Sequence, residues 1–518
     1  MREPGANLDA GILAAIVVYF VAMLLLGMWF LKRTRNQGMR EYFLGGRKNN
    51  PYVTAMSAQA SDMSGWLLMG LPGVAYLTGI ADATWTAIGL AIGTYLNWLL
   101  VARRIRVYTH TTNSITIPDF FADRYGDKKH ILSSVAAVII IIFFIPYTAS
   151  GFAACGKLFN QLFGVNYMLA MIVSAAIIVG YCALGGFLAA STTDLIQSIV
   201  MTIAIVVVVI YATHMAGGMD AVLTNARALP GYLSLTSVYD PESGSASAYG
   251  ALTSFSMLAW GLGYFGMPHV LLRFMATEDD KKIKTSRRIA TVWVVISMAV
   301  AVFIGIAGLG MTKAGALPVL ADPERIIITV AQLISSHGVL AAVIAGVIMA
   351  GILAATMSTA DSQLLAASSS FSQNLLQDLF GIKLTQKQSI LAARLTVVVI
   401  AIIAVFLARN PDSSVFKIVS FAWAGFGATF GPIVLLALFW KRSTLQGALS
   451  GMVVGGIMVF VWKFLIAPIG GVFGIYELLP AFVLALLVNV IVSLATPAPN
   501  ADVLATFDEV NARLAGKE

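Results

Sequence analysis

Long apolar runs alternate with short polar stretches along this chain, and the length of the runs decides the architecture. The first spans Ala10–Leu31. Others follow at about 52–78, 82–101, 131–160, 166–184, 189–215, 247–272, 288–311, 328–376, 389–408, 414–440, 444–468 and 473–495. A helix needs about 20 consecutive apolar residues to cross the hydrocarbon core of a bilayer. The pattern therefore predicts an all-α polytopic protein seated in the lipid bilayer, with about thirteen transmembrane helices. The run at 328–376 exceeds one crossing, which predicts an external helix leading into the span and an internal extension after it. The first run is too long for a signal-peptide core and no small-residue cleavage pattern follows it, so it reads as a retained helix.

Composition sharpens this picture. Of 518 residues, 58% are apolar and only 11% charged, where a soluble globular protein carries roughly 25% charged. So few charges cannot cover the surface of a water-soluble enzyme. The two cysteines, Cys155 and Cys182, lie in apolar stretches and make no disulfide scaffold. No GxxxxGK[ST], HExxH or CxxC motif occurs, so ATP-driven pumping and metal hydrolysis lack their signatures. No nucleophile and base stand in register. The chain reads as neither an enzyme nor a cofactor binder.

The net charge of +8 comes from basic residues in short loops, which concerns lipid headgroups and topology rather than nucleic acid. The first loop carries Lys32, Arg33, Arg35, Arg40, Arg47 and Lys48. The third carries Arg103, Arg104, Arg106, Arg124, Lys128 and Lys129. The seventh carries Arg273, Lys281, Lys282, Lys284, Arg287 and Arg288. Lys383 and Lys387 fall in the ninth loop, Lys441 and Arg442 in the eleventh. All are odd-numbered loops, so the positive-inside rule places the N-terminus outside and the C-terminus in the cytoplasm of a multi-pass plasma (bacterial inner) membrane protein. The longest polar external stretch, 216–246, divides the chain into two apolar blocks. The tail from Thr496 is short and polar.

Two segments break the apolar pattern alike, one near the start of each block. The first is Ala58-Gln59-Ala60-Ser61-Asp62-Met63-Ser64-Gly65-Trp66, followed by Gly70, Pro72 and Gly73. The second runs from Trp260 through Gly261, Gly263, Tyr264 and Gly266 to Pro268 and His269. Freed backbone at membrane depth is tolerated only where it is buried in protein or lines a cavity. Paired interruptions in the two halves point to a transporter binding site. Three carboxylates, Asp62, Asp194 and Asp361, sit inside apolar runs, where each costs at least ~2.5 kcal/mol without a cavity or partner. Asp194, after Gly185-Gly186, fits a structural N-cap equally well. On a helix, Ser358, Asp361 and Ser362 stand at i, i+3 and i+4 with Thr359 beside them, a stripe of oxygens. Such oxygens, with carbonyls freed by a broken helix, suit a hard monovalent cation; hydroxyls bonding back to their own helix are the plainer reading.

At these residues the chain resembles the sodium:solute symporter family, most of all its proline-carrying members. The matching strings are SDMSGWLLMGLPG (Ser61–Gly73), GGFLAASTTD (Gly185–Asp194), WGLGYFGMPHVLLRFMA (Trp260–Ala276), ILAATMST (Ile352–Thr359) and FAWAGFGATFGP (Phe421–Pro432). The resemblance extends from about residue 10 to 495. It implies a LeuT-type core of two inverted five-helix repeats, 52–215 and 247–440. Residues 1–51 would hold an extra helix and cytoplasmic loop, and 441–518 two further helices and the tail. It implies sodium-coupled secondary active symport of L-proline into the cell by alternating access, with another amino acid, pantothenate or a short carboxylate as alternative solutes. It also implies a sodium site made by the carbonyls of Ala60, Met63 and Ala355 and the hydroxyls of Ser358 and Thr359, with Asp62 nearby. For the solute it points to Ser64, Gly65, Trp66, Tyr147, Trp260, Tyr264 and Pro268. Family members commonly carry a small residue at the position of Asp361. Here Asp194, Asp361 and Ser362 are expected either to form an auxiliary cation or proton site, or to leave Asp361 facing a cytoplasmic cavity.

Overall fold

The computed structural model describes residues 6–34 and 38–516; Arg35, counted above in the first basic loop, lies outside them. Ten helices among the described residues are long and apolar enough to cross a membrane. They become eleven when the bent pair Ala251–Gly266 and Pro268–Met275 is taken as one span. In chain order the elements that build the site and its flanks are α1 (Ala6–Thr34), α2 (Pro51–Ala60), α3 (Trp66–Thr78), α4 (Ile80–Thr112), α5 (Ile131–Phe163), α6 (Tyr167–Gly180) and α7 (Gly186–Met215). The second block supplies α8 (Ala251–Gly266), α9 (Pro268–Met275), α10 (Asp280–Lys313), α11 (Ile326–Ser335) and α12 (Val339–Leu379). It continues with α13 (Gln386–Leu407), α14 (Val415–Phe439), α15 (Leu445–Ile469), α16 (Leu478–Ala495) and α17 (Ala501–Leu514).

The breaks have local causes. Asn50 caps α2 by accepting the Val53 N–H at 2.9 Å, and Pro51 supplies a preset first-turn φ. After Ala60 the chain leaves the α-ladder through a turn at Ser61–Ser64 and restarts as a π-helical turn at Trp66–Gly70. In the second block α8 tightens to 3-10 geometry over Ala259–Gly266, Met267 is extended (φ −74°, ψ 106°), and Pro268 opens α9 at a bend of 47°. The runs 166–184 and 189–215 form one helical stretch broken at Gly186, whose φ of +64° glycine adopts without strain. The long run at 328–376 resolves into α11 and α12, as its length demanded.

Helix α12 is the central post, packed against α1, α5 and α7, while α8 lies between α4 and α14. The seams around α8 are made of glycine. A Cβ on Gly93 would fall 2.3 Å from the Gly261 carbonyl oxygen, one on Gly263 would fall 1.9 Å from Trp423 Nε1, and one on Gly266 2.2 Å from the Phe426 carbonyl oxygen. Small residues let backbones approach where a methyl group would hold them apart. Large apolar side chains on the periphery stay uncovered, Val18 of α1 at 68% and Phe406 of α13 at 65% exposed among them, as a lipid-facing wall requires.

Several readings need correction. The 216–246 stretch, expected as a polar loop, holds a helix (Met219–Arg227) and a hairpin. Its strands β1 (Ser237–Asp240) and β2 (Ser245–Ala248) pair antiparallel from Ser237↔Ala248 to Asp240↔Ser245. The polar tail contains α17, which buries Val503, Phe507 and Val510 and ties Asp508 to Lys441 at 2.5 Å. Four arginines taken as loop charges, Arg47, Arg106, Arg124 and Arg273, are buried at 7% exposure or less. Arg124 shows why: its Nε donates to the Ala437 carbonyl at 2.6 Å and its Nη2 to that of Trp440 at 3.0 Å, satisfying the C-terminal end of α14.

Candidate functional site

The two interrupted helices meet the oxygen stripe of α12. Ser358 Oγ donates to the Ala60 carbonyl at 2.8 Å and contacts the Ala355 carbonyl at 3.1 Å; Thr359 Oγ reaches the same Ala60 carbonyl at 3.4 Å. Ala60 offers that oxygen because the ladder of α2 ends there. Four of the five residues expected to form the ion site thus converge. Met63 sits in the adjoining turn with its N–H on the Gln59 carbonyl at 3.0 Å, and no hydrogen bond joins it to the other four. All these atoms are neutral oxygens. Among the described residues no three His, Cys, Asp or Glu side chains gather into a metal cluster.

Asp62 occupies the same turn, fully buried. Its main-chain carbonyl accepts the Trp66 Nε1–H and the Tyr147 hydroxyl, both at 2.9 Å, while its carboxylate, beside the Tyr264 hydroxyl, makes no well-formed hydrogen bond. Ser64 Oγ, Trp260 Nε1, Tyr264 Oη and both His269 ring nitrogens are also buried and make no well-formed hydrogen bond. Buried polar groups normally find partners, so this concentration marks a place built for something besides protein.

An aromatic wall surrounds it. Trp260 lies 6.1 Å from Trp66, 5.4 Å from Phe416, 6.1 Å from Trp423 and 5.3 Å from Tyr476, the last nearly parallel at 22°. Tyr264 stands edge-on to Trp423 at 5.0 Å. Trp423 Nε1 fixes the bend by donating to the Trp260 carbonyl at 2.7 Å. A Cβ on Gly65 would meet Ala154 Cβ at 3.1 Å, so this turn sits close against α5. Pro268 is buried at the first position of α9. Phe416 and Tyr476 were not singled out from the sequence, where each is one aromatic residue among apolar neighbours; Trp423 was read only as part of the glycine-rich string Phe421–Pro432.

The third group, Asp194, Asp361 and Ser362, is joined by a residue the sequence reading had placed in a loop. Arg273 Nη2 contacts Asp194 Oδ2 at 3.2 Å and also donates to Ser362 Oγ; its Nε donates to Ser57 Oγ at 3.0 Å and its Nη1 to the His269 carbonyl at 3.1 Å. Ser57 in turn donates to Asp194 at 2.6 Å, and Ser362 to Asp361 Oδ1 at 3.0 Å. The other Asp361 oxygen has no hydrogen-bond partner. A guanidinium therefore stands beside the two carboxylates. Its signal was an arginine one helical turn past a broken segment, on the same face as His269.

A separate ion cluster lies where α5, α11 and α14 meet. Lys157 Nζ bridges Glu324 at 2.9 Å and Asp322 at 3.0 Å, and Glu324 accepts the Val415 and Phe416 N–H groups at the start of α14, both at 3.1 Å.

A family model described as "Sodium:solute symporter family" matches residues 42–455. A sodium/proline symporter of Haemophilus influenzae is 42% identical over 506 residues, covering 96% of this chain and 97% of that one. One from Staphylococcus aureus is 41% identical over 502 residues, covering 96% and 94%. Among solved structures, a sodium-coupled sialic acid symporter in a substrate-bound outward-open state superposes with a TM-score of 0.77 at 19% identity, covering 95% and 99%. Mhp1, a nucleobase-cation-symport-1 family transporter in a closed conformation, gives 0.55 at 14% identity, covering 90% and 98%. The fold is thus the expected all-α, LeuT-type architecture.

Proposed function

The chain belongs to the sodium:solute symporter family, a family of multi-pass membrane carriers, and we propose that it moves L-proline into the cell coupled to sodium. The observation that carries this reading is the Ala60 carbonyl, left free at the break of α2 and met by the Ser358 and Thr359 hydroxyls of α12. It occurs in a chain about two-fifths identical to relatives named sodium/proline symporters.

Sodium would take the carbonyls of Ala60, Met63 and Ala355 and the hydroxyls of Ser358 and Thr359, each hydroxyl turning a lone pair inward. An ion there ties the broken end of α2 to α12. Asp62, one residue from Met63 and buried beside the Tyr264 hydroxyl, lowers the electrostatic cost of the cation without contacting it. Proline is a zwitterion with a small apolar ring. Its carboxylate can rest on the Gly65 and Trp66 N–H groups that open α3, where the helix dipole favours negative charge. Trp66, Trp260, Tyr147 and Tyr264 cover the ring and attract the secondary ammonium by cation–π contact, worth about 0.5–2 kcal/mol. Pro268 and Gly65 keep the backbone close. Ser57, Arg273, Asp194, Ser362 and Asp361 form the charged floor of the same site, where a proton or auxiliary cation on Asp361 would sit. Because ion and solute share the α2–α3 turn, each tightens the other by the same factor.

The repeats are assigned to 52–215 and 247–440, with the N-terminus outside and the C-terminus cytoplasmic. The decisive experiment is uptake of radiolabelled proline by proteoliposomes under an imposed sodium gradient, with other amino acids as competitors. Sodium-dependent uptake blocked by unlabelled proline is expected. Sodium-dependent accumulation of a competitor in preference to proline would reassign the solute, and proline uptake indifferent to sodium would remove the coupling.

A further inference from the structure

The flank of α4 and α10 carries a feature that solute transport leaves unexplained. Along 80–91 of α4 and 295–306 of α10 the two helices leave an apolar groove of about 380 Å³, with Ile88, Ala91, Val295 and Val302 among its walls. Toward the basic loops, the same two helices open a second cleft of about 340 Å³, lined by Trp98, Arg103, Asp280, Lys281, Lys284 and Arg287 among others. Between the two run Ile92, Tyr95 and Leu99, exposed at 52%, 43% and 42%. From Leu99 to Ala91 is about 12 Å of helix at 1.5 Å per residue, within the reach of one acyl chain.

The cleft is charged in one sense. Asp280 neutralises Arg103 at 2.9 Å, while Lys281, Lys284 and Arg287 have no ion pair among the described residues. Arg287 lies over the Tyr95 ring at 5.4 Å, at the start of the apolar track. Trp98, in the π-helical turn Asn97–Ala102, is 1% exposed, and its indole N–H has no acceptor. Basic pockets between transmembrane helices at the headgroup level bind anionic lipid headgroups.

We propose that this is a binding site for one anionic glycerophospholipid. Lys281, Lys284 and Arg287 hold its phosphate, and an acyl chain follows Leu99, Tyr95 and Ile92 toward the groove. A free phosphate has no use for the apolar track, and a neutral lipid leaves three cations uncompensated.

The test is native mass spectrometry of the full chain in detergent, titrated with palmitoyl-oleoyl phosphatidylglycerol, with phosphatidylcholine of the same chains, and with glycerol phosphate. Neither sodium nor proline is needed, so the outcome is independent of the solute. Phosphatidylglycerol should be retained in preference to the other two. Each cation removed should weaken its binding about fivefold, so Lys284→Gln does so once and Lys284→Gln with Arg287→Gln roughly 25-fold. Lys284 is exposed, so the single variant stands if the double one fails to fold. Equal retention of the two lipids, unchanged affinity in Lys284→Gln, or displacement of the lipid by equimolar glycerol phosphate would each overturn the proposal.

Discussion

Arg273 Nη2 lies 3.2 Å from Asp194 Oδ2, and both side chains are sealed from solvent at about 1% exposure or less. Removing one partner of such a pair leaves an uncompensated buried charge, typically worth about 3–5 kcal/mol. Arg273→Gln and Asp194→Asn should each lower the apparent unfolding midpoint of the detergent-solubilised protein. The double variant should lie above the more damaged single one. Strictly additive losses would show that the two charges do not compensate each other.

Ser358 is the hinge of the proposed ion site. Ser358→Ala deletes one oxygen ligand and should raise the sodium concentration for half-maximal proline uptake about tenfold, the worth of one strong hydrogen-bond-like contact. Asp62→Asn should act in the same direction by removing the nearby negative charge. Uptake titrated against sodium, normalised to protein in the membrane, reads both effects. Wild-type sodium activation in both variants would mean that the ion binds elsewhere.

Glu324 joins three elements at once, through Lys157, the Ser414 hydroxyl at 2.8 Å and two N–H groups opening α14. Glu324→Gln keeps the shape and loses the charge. A fall in stability of about 1–3 kcal/mol is expected, because charge-assisted bonds to a buried ammonium and to a helix N-terminus both weaken. Lys157→Met should lower the apparent unfolding midpoint as well. No change in midpoint for either variant would show that the cluster is mechanically idle.

Asp123, in the short helix Ile117–Tyr125 between α4 and α5, should give a pH signature. Burial pushes its carboxyl up to about 6, against the Ser114 hydroxyl at 2.5 Å, which favours the charged form. Between about pH 4 and pH 6 the folded protein therefore keeps a proton that the unfolded chain has released. The stability this group contributes is present below that window and is lost as pH rises through it. Asp123→Asn removes the slope, so the midpoint of the variant minus that of wild type should climb from pH 4 to pH 7. A flat difference would sink the assignment.

What could be read in advance follows from how local each signal is. The two helix breaks are written in consecutive residues, Ser61 to Gly65 and Gly261 to Pro268, and the hydroxyl stripe in a spacing of three and four. Both survive into the structure unchanged. Arg273 did not reveal itself, because an arginine next to a cytoplasmic loop looks like any other loop charge. Its partner Asp194 lies 79 residues away. The wall around Trp260 draws Trp423 from 163 residues further on, and no periodicity encodes that meeting. Helix α17 was missed for another reason: its apolar face, Val503, Phe507 and Val510, is too narrow to register beside membrane-length runs.

The glycine seams around α8 carry a consequence for heredity. No residue with a side chain fits where Gly93 meets Gly261 or where Gly263 meets Trp423, yet neither seam is built to grip an ion. Inactivating missense changes in this gene should therefore cluster along two invisible lines of missing methyls, and a survey of such alleles would trace the bearing on which the broken rod rests before it outlined the cargo hold.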